Sequence, residues 1–154
     1  MSPENIFKLC STIALAGWLI LIFILSWRFS DKFITGIIIT LFCIVYTWLI
    51  CTNFSFSDVQ KFNSLQGVMQ LFTNPFIVTA GWIHYLAFDL MTGLFISRNA
   101  RLHHINHWLI AACLFFKFIL GPVGLLLYFI IRIIVTKNIF LLTFQLQHYE
   151  KFFC

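Results

Sequence analysis

The sequence predicts an all-α polytopic membrane protein with four transmembrane helices and a short amphipathic helix at the interface. Three observations predict it. The 154 residues are 61% hydrophobic and only 10% charged, with a mean hydropathy of +0.95, whereas a soluble domain carries about 25% charged residues. Apolar runs of about 20 residues recur, the length that crosses ~30 Å of hydrocarbon as a helix. The stretches between those runs are polar and mostly short.

The first span is placed at residues 9–27, behind a polar start at residues 1–8. Its apolar core is too long for a signal peptide, Leu25-Ser26-Trp27-Arg28 offers no small-residue cleavage site, and no Arg/Ser-rich transit segment precedes it. Arg28 to Lys32 form a tight polar turn. The second span, 33–51, is rich in isoleucine and carries Tyr46 and Trp48 where an aromatic belt would sit. So short a turn makes the two spans an antiparallel hairpin.

Residues 52–74 are too polar to cross. Val59, Phe62, Leu65, Val68, Met69 and Phe72 recur at spacings that put one apolar stripe on a helix. With Ser57 as N-cap, this predicts an interfacial helix over 57–72, either a connector or a lid over a cavity on the same side. The third span, 75–97, opens on Pro75, which suits a first helical turn. It carries Trp82, His84, Tyr85 and Asp89 and is the least lipid-like of the four. After a basic turn at 98–107, the fourth span, 108–132, is interrupted by Gly121-Pro122-Val123-Gly124, where proline removes a helical hydrogen bond and kinks the helix. Residues 133–154 read as an interfacial tail.

Four spans place both termini on one face. Lys8, Lys61, Arg132, Lys137 and Lys151 then oppose Arg28, Lys32, Arg98 and Arg101, which is no usable positive-inside bias. The net charge of +5 is scattered singly at segment ends, a pattern for anionic headgroups and against nucleic acid. Five cysteines without a CxxC exclude a disulfide framework or zinc motif. His103 and His107 share a helical face, but no carboxylate in the turn completes a metal site, so the turn reads as solvated and metal-free. No phosphate loop, HExxH or heme motif calls for a cofactor. Twenty phenylalanines and five tryptophans fit lipid-facing bulk and interfacial belts. The sharper alternative is an aromatic groove for a long planar or isoprenoid ligand.

Asp89, Lys117 and His84 fall inside apparent hydrocarbon, where each ionisable group costs at least ~2.5 kcal/mol and marks the default place to look for function. A hairpin turn centred near residues 102 and 103 puts residues equidistant from it at equal depth. That pairs Asp89 with Lys117, and sets His84 opposite Pro122 at the broken turn. One reading is an ion pair that only fixes the hairpin register. The other is an acid/base pair in a water-poor pocket. His84 lies about 140° round the helix from Asp89, so the two do not share a face.

Gly81-Trp82-Ile83-His84-Tyr85-Leu86-Ala87-Phe88-Asp89-Leu90, then Gly93, His107-Trp108 and Gly121-Pro122-Val123-Gly124-Leu125-Leu126-Leu127-Tyr128, resemble the ABA4-like family of small membrane proteins. The family was first defined by a plant protein needed for neoxanthin formation. The resemblance covers about residues 65–132; the first two spans match only as a generic hydrophobic hairpin. It implies a four-helix membrane domain marked by Trp82, His84, Asp89, Gly121, Pro122 and Gly124. The implied chemistry is a cofactor-independent isomerisation of a carotenoid or isoprenoid lipid, opening an epoxide and forming an allene without redox change. Asp89 would be the catalytic base and His84 the acid, with Trp82, Tyr85, Lys117, Gly121, Pro122, Gly124 and Tyr128 binding the ligand. Two departures bear on this. No plastid-targeting segment precedes the spans, so the chain is similar to short bacterial members, multi-pass in the inner membrane. Lys117 stands where the family more often has a neutral residue, and its pairing would weaken Asp89 as a base. The alternative is a non-catalytic module that binds lipid or a partner protein, with the polar groups serving helix packing. Membrane lipids are the expected partners, and a homo-oligomer is compatible with either reading.

Overall fold

The architecture is built around one long helix. The computed structural model describes residues 1–23 and 34–137, and among these every regular element is helical. In chain order they are α1 (Pro3–Phe23), a π-helical stretch (Ile34–Ile39) leading into α2 (Thr40–Asn53), a 3₁₀ helix (Phe56–Asn63), α3 (Leu65–Leu71), α4 (Pro75–Leu102), α5 (His107–Leu120) and α6 (Pro122–Thr136). Among the described residues, three helical stretches are long and apolar enough to cross a membrane: Pro3–Phe23, Gly36–Asn53 and Pro75–Leu102.

Helix α4 is the axis. Asn74 caps it by accepting from the Phe76 amide, and Pro75 occupies the first turn, where a missing N–H is harmless. Helices α1 and α2 pack on it side by side, and glycines set the approach. Gly93 of α4 receives the Trp18 ring, which would come within 2.9 Å of an added Cβ, and Gly17 of α1 lies against Ile38 and Leu90. Small residues bring helices close where lipid supplies no hydrophobic drive between them. Phe7 and Ser11 meet Trp82 while Trp18 and Leu21 meet Gly93, so α1 runs parallel to α4. Ile38 meets the level of Leu90 through Gly17, and Tyr46 meets His84, so α2 runs antiparallel to α4.

The structure corrects the expected outline in three places. The third helix continues to Leu102 rather than ending at 97, because Ser97, Asn99 and Ala100 are still buried and Arg101 donates to Ser97 Oγ at 2.7 Å. The interfacial helix expected over 57–72 is two pieces. Ser64 sits extended between them and caps α3 by accepting from Gly67 N, and Ser55, not Ser57, is the N-cap of the 3₁₀ helix. The fourth span, expected over 108–132, is two short helices, α5 and α6, that fold back on each other at Gly121. Residues 24–33, which cover the end of the first span, its turn and the first residue of the second span, and residues 138–154 of the tail lie outside the described residues.

Candidate functional site

The site residues follow from how α4 distributes its two faces. A helix advances about 100° per residue, so Trp82, Tyr85, Asp89 and Gly93 share one stripe while Gly81, His84 and Phe88 share another.

The first stripe looks toward α1 and the α5–α6 pair. Trp82 Nε1 donates to Ser11 Oγ at 2.9 Å, with its ring between Phe7 and Tyr85 at centroid distances of 5.3 and 5.5 Å. About two turns beyond Trp82, the Lys117 ammonium donates to Asp89 Oδ1, both side chains buried. The equal-depth expectation for Asp89 and Lys117 therefore holds. Gly121 adopts φ +52°, a left-handed value suited to glycine. A Cβ there would stand 3.6 Å from Tyr85 Oη and 4.0 Å from Asp89 Oδ1. Lys117 lies in the last turn of α5, and Asp89 lies beside the residue that opens α6. Each charge thus meets the helix end whose dipole favours it. Gly124 makes the fold-back possible: a Cβ would collide with the Lys117 backbone and come within 2.6 Å of the Cys113 carbonyl. Tyr128 Oη donates to Asn99 Oδ1 at 2.5 Å, binding α6 to the lower part of α4.

The second stripe looks toward α2. His84 does not face the break at Gly121-Pro122 as the equal-depth rule required. Tyr85 and Asp89 meet that break, and the His84 ring lies 5.6 Å from Tyr46 and 4.6 Å from Phe88. The rule fixed depth but not direction round the helix. His84 lines a cleft of about 220 Å³ with Tyr46, Phe54, Phe62, Phe72 and Gly81. Phe72 packs against Gly81, its Cε1 3.1 Å from where a Cβ would be. Phe54, Phe62 and Phe72 come from the interfacial segment, so this segment roofs the cleft. Composition had flagged an aromatic groove, but not its walls: Tyr46 reads as a belt residue, and the Phe62/Phe72 stripe reads equally well as lipid-facing. The Asn99–Tyr128 bond was also missed, since Asn99 falls where the sequence suggests a turn.

The structure thus joins Trp82, Tyr85, Asp89, Lys117 and Gly121, adds Gly124 and Tyr128 through α6, and leaves His84 on the other side of α4. Pro122 opens α6 and is exposed. Among the described residues no three His, Cys, Asp or Glu side chains converge to hold a metal. His104 is exposed in the loop after α4 and His107 at the start of α5, whereas His103 is partly buried in that loop. Burial, and then the nearby Arg132 charge, lower the His103 pKa from its ordinary value.

The protein-family model described as ABA4-like (ABA DEFICIENT 4-like) matches residues 5–128. The match therefore runs through α1 and α2 as well as the motifs of α4 and the α5–α6 turn. No curated protein and no solved structure matches the chain.

Proposed function

The chain belongs to the ABA4-like family, and from that premise we propose that it holds one end of a carotenoid- or isoprenoid-type lipid in the cleft beside His84. The observation that carries this is the cleft's lining: the aromatic rings of Tyr46, Phe54, Phe62 and Phe72 beside one imidazole, His84. Drug-sized ligands fill pockets of about 300–1,000 Å³, so about 220 Å³ suits a terminal ring, the polyene or prenyl chain lying along α2 and α4 in the bilayer. Flat walls such as Tyr46, Phe62 and Phe72 favour a planar, polarisable guest.

Any acid–base step on the bound end group falls to His84. Asp89 is neutralised by Lys117 and sits behind the helix, so it serves packing rather than proton abstraction. An epoxide-to-allene rearrangement needs one proton taken from carbon and one given to oxygen. A single imidazole in contact with both atoms supplies that exchange without redox change. The closed Asp89–Lys117 pair also favours a second reading, a lipid-binding module without catalysis, and both readings share the cleft.

Protein purified in mild detergent should retain a stoichiometric carotenoid or polyprenyl species, seen in its absorption spectrum and by mass spectrometry. His84→Ala or Gly81→Leu, which fills the cleft, should lose it while the protein stays folded. Retention of the species in both variants, or recovery of bulk phospholipid alone from the parent protein, would remove the basis for this reading.

A further inference from the structure

We infer that α5 and α6 form a re-entrant hairpin that enters and leaves the bilayer from the face holding residues 103–106, and that the His84 cleft opens on the opposite, non-cytoplasmic face. The inference stands whether or not the cleft takes a lipid.

Length is the first support. The 14 residues of α5 and 15 of α6 extend only about 21 and 22 Å at 1.5 Å per residue, short of ~30 Å of hydrocarbon. Direction is the second. Helix α5 climbs from the end of α4, bringing Phe118 to 5.6 Å from Trp18 and Lys117 to Asp89. The chain turns at Gly121, at the level of Tyr85 and Asp89, and α6 then descends α4 in parallel. Tyr128 reaches Phe95, at 6.5 Å between rings, and Asn99, and the Arg132 charge is felt at His103 in the loop. From Asp89 to Leu102 is 13 residues, about 20 Å along the axis, so the turn lies deep in the layer. Irregular backbone at that depth is tolerated where protein buries it, and Gly121 is buried against α4.

Charge then orients the fold. A returning α6 moves Arg132 and Lys137 to the face that holds Arg98 and Arg101. Among the described residues, Lys8 and Lys61 remain opposite. The balance that four full spans leave nearly even becomes, among the described residues, four cations at one face against two at the other. By the positive-inside rule the crowded face is cytoplasmic. The face with the N-terminal end of α1, the 3₁₀ helix and α3, which roof the cleft, is the other one.

The test is labelling with a membrane-impermeant maleimide in a chain carrying Cys43→Ser, Cys51→Ser and Cys154→Ser, with one cysteine added at a time. In intact cells Ser57→Cys should react, whereas His107→Cys and Lys137→Cys should react only after the membrane is opened. Reaction of Lys137→Cys from the side opposite to His107→Cys would overturn the hairpin. Protection of Ser57→Cys in intact cells together with reaction of His107→Cys would overturn the orientation. Reporter-domain fusions after Lys137 and before Pro3 report the same sides without a cysteine in the fold: opposite sides support the hairpin, and the same side overturns it.

Discussion

At the scale of single residues, the buried pair and the cleft histidine should respond oppositely to mutation. Asp89→Asn leaves an uncompensated ammonium at Lys117 and should destabilise the protein by about 3–5 kcal/mol. Adding Lys117→Met should recover most of that loss, as measured by thermal unfolding in detergent and analysed as a double-mutant cycle. A base essential to chemistry would instead leave stability intact and abolish turnover. His84→Ala, at an exposed position, should move stability by no more than about 0.5 kcal/mol and change only ligand retention. Outside the membrane, Asp58 gives a pH signature. Its carboxylate accepts from Lys61 Nζ at 2.7 Å and from Ser55 N at 2.9 Å, which holds its pKa down at about 2 against an ordinary 3.8. The folded carboxylate is the stronger acid, so its contribution is complete above the ordinary value and fades as pH falls through about 2. The order of the 3₁₀ helix, followed by the solvent exchange of its amides, should therefore weaken below pH 3.8 in the parent chain and be insensitive there in Asp58→Asn. The Asp89–Lys117 pair was legible in sequence because depth in a hairpin follows from counting. His84 was not, because the side of α4 it faces depends on where α2 docks.

At the scale of elements, the α5–α6 turn rests on two glycines with different duties. Gly121 supplies a backbone geometry, φ +52° and ψ −102°, so Gly121→Ala should cost about 1–3 kcal/mol of strain. Gly124 supplies clearance, so Gly124→Ala must push α6 off α5, at about 1–3 kcal/mol for overpacking. The displacement also moves Lys117, so Gly124→Ala should be strongly non-additive with Lys117→Met, whereas Gly121→Ala should be closer to additive. Unfolding midpoints of the three single and two double variants decide it. A break at Gly121-Pro122 was visible in the sequence, but its angle was not. Proline signals that a helix is interrupted, and only the bare Gly124 surface, seen against Lys117 and Cys113, reveals a full reversal. The interfacial segment shows the same limit: its apolar spacing was readable, but its division at Ser64 depends on which serine finds an amide to cap.

For the whole molecule, burial is concentrated on α4. More than half of its membrane-length window is buried inside the protein, against 17% for the Gly36–Asn53 stretch. Leu90→Ala, at a fully buried site touching α1, should cost about 2 kcal/mol or more through the cavity it leaves. Ile44→Ala, on the lipid face of α2, should change stability by less than about 0.5 kcal/mol. An all-α membrane class was plain from composition, since so apolar a chain has too few polar residues to coat itself. The number of crossings was not plain, because a run of apolar residues reads the same whether it crosses or returns. The reversal at Gly121 also bears on how the protein is made. Neither α5 nor α6 is long enough for the insertion machinery to release as a span of its own, so the hairpin has to slide in along α4 once that helix is seated. Until then Asp89 has no Lys117 beside it, and the arrival of Lys117 completes the buried pair in the last step of assembly.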